Sequence, residues 1–397
     1  MEREFQVAVA AQSAYTTCFV TDPSTARSRA WVEVDLDALR RNAQTIRSVA
    51  GSEAALVPMV KADAYGLGMN RVVAALLPEQ PWAFGVAAVA EGEALRRCGW
   101  RGPTIVFAPI APGESARAVA ANLTLCLSDV EAVQRWVAAG RSAGQPVAFH
   151  TEIDTGMGRA GFSWSEAAEW GAAVSGIAGS DARWEGCFTH FHSADEPVLA
   201  PADQQWQRFE QTLRSLPPPQ DGVQRLIHAA NSAAALRRPE YARDMVRPGI
   251  FLYGGEVGAE SRPRAVAALR ARVVLVREVP AGTTLGYGAT YQAARSERWA
   301  TLGIGYGDGL RRVLGPAGGE VLIRGKLAPI IGRISMDVTV VNVASIPDVV
   351  PGDVATLIGR DGNAEIRLDD VAVRCGTISY EILTGLGPRL PRVYDRL

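Results

Sequence analysis

The 397-residue sequence predicts an α/β protein: an N-terminal (β/α)8 barrel of the TIM type followed by a mainly antiparallel β-domain. Three observations predict it. Apolar strand-like segments alternate with Ala-rich helical ones about eight times between residues 31 and 265, the count that closes such a barrel within its usual ~250 residues. After Pro263 the texture changes to VAALRARVVLVREV, WATLGIGY, VLIRG, APIIGRI and DVTVVNV, separated by Gly and Pro, which is an antiparallel pattern over residues 266–397. A hydrophobic content of 48% with 21% charged residues supplies a large core and excludes disordered and collagen-like chains.

The elements follow in order. Residues 1–30 end in the polar stretch TDPSTARSR and have the composition of a partly disordered extension. From Trp31 the chain organises itself: Asp35 and Asp37 precede LRRNAQTIRSVA, a capped helix. Strands are expected over residues 56–60, 83–87, 104–107, 123–127, 147–153, 184–189, 225–228 and 244–246. Helices are expected near 69–77, 89–98, 114–121, 129–142, 165–175, 202–216 and 232–237.

Charge and cysteine usage exclude several classes. With 41 basic and 42 acidic residues the net charge is -1, so no global cationic field exists to hold nucleic acid or an acidic membrane. No run approaches the roughly 20 apolar residues of a membrane helix, and the N-terminus lacks the basic region of a signal peptide. Cys18, Cys98, Cys126, Cys187 and Cys375 are odd in number and widely spaced, which predicts a reducing cytoplasm in place of a disulfide framework.

Only two of the 41 basic residues are lysines, Lys61 and Lys326. Arginine stays protonated, whereas a lysine amine can lose its proton and form a Schiff base, so a lysine surviving such a bias is a candidate for chemistry. Lys326, in IRGKLAP, falls at a turn and reads as a solvated charge. Lys61 follows the first barrel strand, at the end where barrel active sites lie. Glu152, Asp154 and Arg159 come from the fifth strand and its loop, His190 and His192 from the sixth, Asn231 and Ser232 from the seventh, Arg247 and Gly249 from the eighth. The last two loops of such a barrel often bind phosphate; NSAA opening a helix and RPGI supply a hydroxyl and backbone amides for an anion. An amine at one strand end and a phosphate cradle at two others point to a phosphate-bearing aldehyde, with pyridoxal phosphate (PLP) the obvious candidate.

The motifs VKADAYGLG, DTGMGR, FTHFHSAD, HAANSAA, RPGIFLYG, GYGATY, GYGDG, GRISMD and ISYEIL, in this order and spacing, resemble those of the PLP-dependent alanine racemases from Trp31 to the C-terminus. The resemblance implies a cytoplasmic homodimer, with the active site completed across the interface, that interconverts L- and D-alanine and supplies D-alanine for peptidoglycan. It implies that Lys61 holds PLP and serves one face of the substrate Cα while Tyr287 of the partner subunit serves the other. Arg247 matches the arginine that faces the pyridine nitrogen. Tyr65, Ser232, Gly249, Ile250 and Tyr380 match the phosphate ligands, His190 the residue beside the ring, and Asn231 is counted with the cofactor-binding residues. Arg159, Met336 and Tyr306 match substrate contacts, with Asp337 beside them in GRISMD.

One position departs from the family. In HTEIDTGMGR, Glu152 stands where most relatives carry a lysine whose carbamylated side chain orients the arginine. Strand alternation puts His150, Glu152 and Asp154 on one face, so the carboxylate points the same way but reaches roughly 3 to 4 Å less. Other classes stay in view: His190-x-His192 with His150 and Asp154 as a hydrolase metal site, a racemase of serine or of broader range, a fold-related PLP amino-acid decarboxylase, and a non-catalytic PLP carrier. The metal reading leaves Lys61 unexplained, the β-domain argues against the carrier, and Ser335, Met336 and Asp337 lack the Cys-Asp pairing of the decarboxylase.

Overall fold

The computed structural model describes Arg27 and residues 29–51 and 53–394. Apart from Arg27, Arg29 and Ala30, the extension predicted over residues 1–30 lies outside the described residues. Asp35 caps the first helix, Leu36–Ala50, by accepting the Ala38 N–H at 2.7 Å. Eight short parallel strands follow: Ala55–Leu56, Phe84–Val86, Thr104–Val106, Thr124–Leu127, Val147–Asp154, Ala182–Phe188, Leu226–His228 and Met245–Val246. The second to seventh pair in sequence order and the eighth pairs the first. Parallel bridges Met59↔Gly85 and Asn231↔Arg247 join the remaining neighbours and close the ring. The predicted strands and helices all occur, with bounds shifted by a few residues, because each unit carries its own periodicity and turn residues.

The second domain is a sheet ordered Lys326–Pro329, Glu320–Ile323, Val354–Asp361, Ala267–Val279, Ala30–Val34, Arg392–Tyr394. Glu297–Leu302 pairs the long strand Ala267–Val279 beyond a register shift, and Thr339–Asn342 pairs Glu297–Leu302 in turn. All pairings are antiparallel apart from Ala30–Val34 with Arg392–Tyr394. This corrects the expected boundaries. The segment from Ala30, divided in the sequence reading between extension and barrel, is an inner strand of the second domain, and Trp31, Val32 and Val34 are buried there. An almost continuous apolar run of five residues suits a strand flanked on both sides. The domains also meet at the first barrel loop, where Tyr394 donates to the Leu67 carbonyl (3.0 Å) and Arg392 to the Gly66 carbonyl (2.9 Å).

Candidate active site

The loop after Lys61 is conformationally costly. Ala62, Asp63, Ala64 and Tyr65 have φ of 52, 53, 55 and 56°, a turn of left-handed helix that costs L-residues roughly 1–2 kcal/mol each. Its hydrogen bonds over-determine it. Glu91 accepts the Ala62 N–H (2.7 Å) with one oxygen and the Ala87 N–H (2.8 Å) with the other, while Asp63 accepts the Met69 N–H (2.8 Å). Such strain persists where a site must hold a group in one place, here the Lys61 amine.

Lys61 opens into a cavity of about 290 Å³. Eleven of the residues singled out from sequence line it: Lys61, Tyr65, Glu152, Arg159, His190, Asn231, Ser232, Arg247, Gly249, Ile250 and Tyr380. Met59, Ala87, Phe107, Ala108, Pro109, Ala160 and Phe188 complete the wall. These small and apolar residues carry no chemical signal in the sequence; only the pairing of strands brings them here. A larger groove, about 670 Å³ between Asp35–Arg41 and Arg360–Asp369, holds neither lysine.

The cradle is built from the last two loops. Asn231 caps the helix Ser232–Arg237 by accepting the Ala234 N–H at 3.0 Å, and Ser232 Oγ accepts the Gly249 N–H at 2.8 Å. A Cβ on Gly249 would lie 2.3 Å from the Tyr65 hydroxyl, so only glycine leaves this floor open. Tyr65 stacks on Tyr253 (centroids 4.4 Å apart) and faces Tyr380 at 6.0 Å. Burial pushes the Tyr65 hydroxyl up and that of Tyr380 to about 12, so both remain donors.

Electrostatics distinguish the bases from the cations. Burial first, then Arg159 and Arg247 against the opposing Glu91, hold the Lys61 amine below its ordinary pKa, which enlarges its fraction in the nucleophilic form. Burial with the neighbouring Arg247, Arg159 and Lys61 lowers His190 to about 3, so this ring stays neutral. Arg247 is only 4% exposed, and burial brings its pKa to about 10, which leaves it protonated at neutral pH. Glu152 is buried on the strand Val147–Asp154, its Oε1 3.9 Å from Arg159 Nη2. Burial raises its carboxyl, while Arg159 and Arg247 oppose the rise.

Four of the predicted residues stand outside this cavity. Tyr287 is 67% exposed, Met336 52% and Tyr306 39%, all on the β-domain, and Asp337 is exposed beside Met336. What ties the loops of Tyr306, Met336 and Asp337 together is not visible in the sequence: Asp308 is fully buried, capped by a two-pronged bond from Arg29 (2.8 and 2.9 Å) and by Arg389 (3.2 Å). Arg29 also donates to the Asp337 carbonyl (2.7 Å), and Arg389 to the Asp337 carboxylate (2.8 Å). The spacing of GYGDG was visible, but not that residues 279 and 81 positions away would pair with its aspartate. The metal constellation does not assemble: His150 faces His228, Asp154 closes its loop by accepting from Gly156 and Gly158, and His192 bonds Ser193. Among the described residues no three His, Cys, Asp or Glu converge on a common point.

Comparison with known proteins bears on this geometry. The chain matches the family model "Alanine racemase, N-terminal domain" over residues 34–257 and "Alanine racemase, C-terminal domain" over 266–394. It is 39% identical over 371 residues to an alanine racemase of Carboxydothermus hydrogenoformans, covering 92% of this chain and 99% of that one. The alanine racemase structure from Streptomyces coelicolor superposes with a TM-score of 0.85 at 33% identity, over 94% of this chain and 100% of that one. The structure from Bartonella henselae, which carries covalently bound pyridoxal phosphate, superposes at 0.84 and 26% identity, over 92% and 99%. Motif order, barrel, cavity and full-length similarity agree, and the chain belongs to the PLP-dependent alanine racemase family.

Proposed function

We propose that this amino-acid racemase interconverts L- and D-alanine with two groups on opposite faces of the substrate Cα, Lys61 and Tyr287 of the partner subunit. The observation that carries the reading is the split of the predicted residues: eleven converge on one cavity while Tyr287 stands 67% exposed on the other domain. Racemisation needs opposed proton groups, because one fixed base returning its proton to the same face regenerates the starting enantiomer. A second copy of the chain, in a homodimer, brings the exposed tyrosine to the cavity mouth.

The residues present fit pyridoxal phosphate: a buried amine of lowered pKa for the aldehyde, and a floor open at Gly249, ringed by the hydroxyls of Tyr65, Ser232 and Tyr380, for the phosphate. When bound, the cofactor supplies the electron sink that acidifies the substrate Cα–H. The Ile250 amide, and the Gly249 amide on exchanging its bond to Ser232 Oγ, would hold the phosphate, with Asn231 fixing the helix start beside it. Neutral His190 would lie beside the ring. Arg247 would face the ring nitrogen; its guanidinium holds its proton too tightly to give it up, so it would not protonate that nitrogen, and the weaker sink would favour return of the proton to Cα. Arg159 holds the substrate carboxylate, joined by Met336 and Tyr306 of the partner subunit.

Glu152 takes the place of a carbamylated lysine in orienting Arg159, which removes any dependence on CO₂. Glu152→Gln keeps the shape and removes the charge, so KM for alanine is expected to rise about tenfold, the effect of losing one modest charge-assisted contact, with the bound-cofactor absorbance unchanged. Steady-state kinetics with and without added bicarbonate check this; an unchanged KM sinks the assignment.

D-alanine so made enters peptidoglycan, and the reaction takes place in the cytoplasm, a setting supported by the unpaired Cys98, Cys126, Cys187 and Cys375. A chiral assay of the purified, PLP-loaded protein tests the reading. L-alanine should yield D-alanine, with serine slower by about ten- to a hundredfold, the discrimination a compact pocket makes against one hydroxyl. Release of CO₂, or no enantiomer conversion with PLP bound, would overturn it.

A further inference from the structure

A chain of buried side chains runs inward from the cavity along the barrel core. Arg247 donates through Nη1 to His228 Nδ1 (2.8 Å), and through Nη2 to the carbonyls of Thr189 (3.1 Å) and Ala229 (3.2 Å). His228 Nε2 lies 2.8 Å from His150 Nδ1. His150 Nε2 has no hydrogen-bond partner, and Glu185 Oε2 is 3.6 Å away. Glu185 in turn is joined by Arg183, whose side chain is exposed.

Chemistry fixes the protons in this chain. A guanidinium only donates, so His228 Nδ1 accepts, and a neutral ring then carries its proton on Nε2. That proton makes His150 Nδ1 an acceptor, which leaves the His150 proton on Nε2, aimed at the carboxylate. No other assignment keeps both rings neutral and both bonds made. The groups facing the pair are Arg247 and Glu185; Glu152 from the cavity wall and Cys126 from the barrel interior act on Arg247. The packing is specific to the rings. A Cβ on Gly186 would lie 2.5 Å from His150 Nδ1, so glycine there is what admits the imidazole. The His228 ring stacks on Phe188 (5.0 Å, 7°) and meets Phe107 edge-on, which sets its plane.

We propose that Glu185, acting through His150 and His228, is a positioning residue for Arg247: a remote counter-charge whose relay sets the tautomers of both histidines and holds the guanidinium against the cofactor ring. This rests on the reading of Arg247 as the group facing that ring. Arg247 is a buried cation whose side-chain hydrogen bonds among the described residues go to histidine rings and backbone carbonyls and to no carboxylate, an arrangement that is costly without compensation. A carboxylate at the far end polarises each ring in turn, strengthens His228 Nδ1 as an acceptor, and so fixes the plane of the guanidinium.

The test uses PLP-loaded protein labelled with ¹⁵N in its histidines, of which there are four in the sequence, so the rings are separable. Both His150 and His228 should show the Nε2–H tautomer, the buried His228 ring should stay neutral at neutral pH, and Glu185→Gln should shift the His150 nitrogens. The same variant should lower kcat about tenfold, with KM within about twofold, and move the pH dependence of the bound-cofactor absorbance. A proton on Nδ1 of either ring overturns the proposal. So does Glu185→Gln with wild-type kcat and absorbance. If the wild-type protein racemises nothing, the active-site reading fails, while the tautomers still report on the relay by themselves.

Discussion

Lys61→Arg is expected to abolish both the absorbance of bound cofactor and the racemisation of alanine, a loss of at least about 10⁴-fold, because in the proposed mechanism one side chain supplies both the covalent attachment and a proton-transfer group. Arginine is close in length and keeps a positive charge. It cannot form the imine or give up a proton, so the loss isolates chemistry from electrostatics. The fold should survive, since the strained turn is held by backbone bonds to Glu91 and Asp63, not by the amine. Lys326→Arg is the matched control. Lys326 is exposed at the start of the strand Lys326–Pro329, and its replacement should leave activity unchanged and stability within about 0.5 kcal/mol. Absorbance spectra and a chiral assay on the two purified variants read the contrast directly.

The second large effect concerns Tyr287. Tyr287→Phe removes one hydroxyl from an exposed ring, so stability should hardly change, yet activity should fall by about 10²- to 10⁴-fold, the contribution of one acid–base group. Complementation shows where that group acts. Neither Lys61→Arg nor Tyr287→Phe homodimers should racemise. A dimer combining the two has one site with both groups intact and one with neither. Random mixing makes about half the dimers of this mixed kind, so about a quarter of wild-type activity should return. If mixing after subunit exchange restores nothing, Tyr287 does not act across an interface.

What the sequence disclosed and what it withheld divide along a physical line. The eight barrel units were legible because strand, turn and helix signals are local, and Lys61 because one of only two lysines in an arginine-rich chain, set at a strand end, is itself a signal. Asn231, Ser232, Gly249 and Ile250 were legible as residues at or just after strand ends, and they line the same cavity as Lys61. Ala30–Val34 was misplaced because AWVEV specifies a buried strand without specifying its partners, which lie more than 230 positions onward. The left-handed turn at Ala62–Tyr65 was invisible because alanine and tyrosine carry no preference for positive φ; tertiary bonds impose it. The pairings of Asp308 with Arg29 and Arg389, and of His150 with His228, are likewise long-range. The sequence offers His150 as a metal ligand, but among the described residues it packs against His228 in the barrel core and no group of three His, Cys, Asp or Glu assembles around it.

The position of Ala30–Val34 between Ala267–Val279 and Arg392–Tyr394 has a kinetic consequence. Made among the first segments, this apolar strand must wait for more than 230 residues to be synthesised before either flank is covered, and its second flank is the last described strand. The barrel can condense as its units emerge, but the second sheet can be completed only after Arg392–Tyr394 has been made. Because Arg392 and Tyr394 also clasp the loop after Lys61, that loop gains its last contacts at the same late moment. Removal of residues 392–394 is therefore expected to injure the first barrel loop as much as the second sheet.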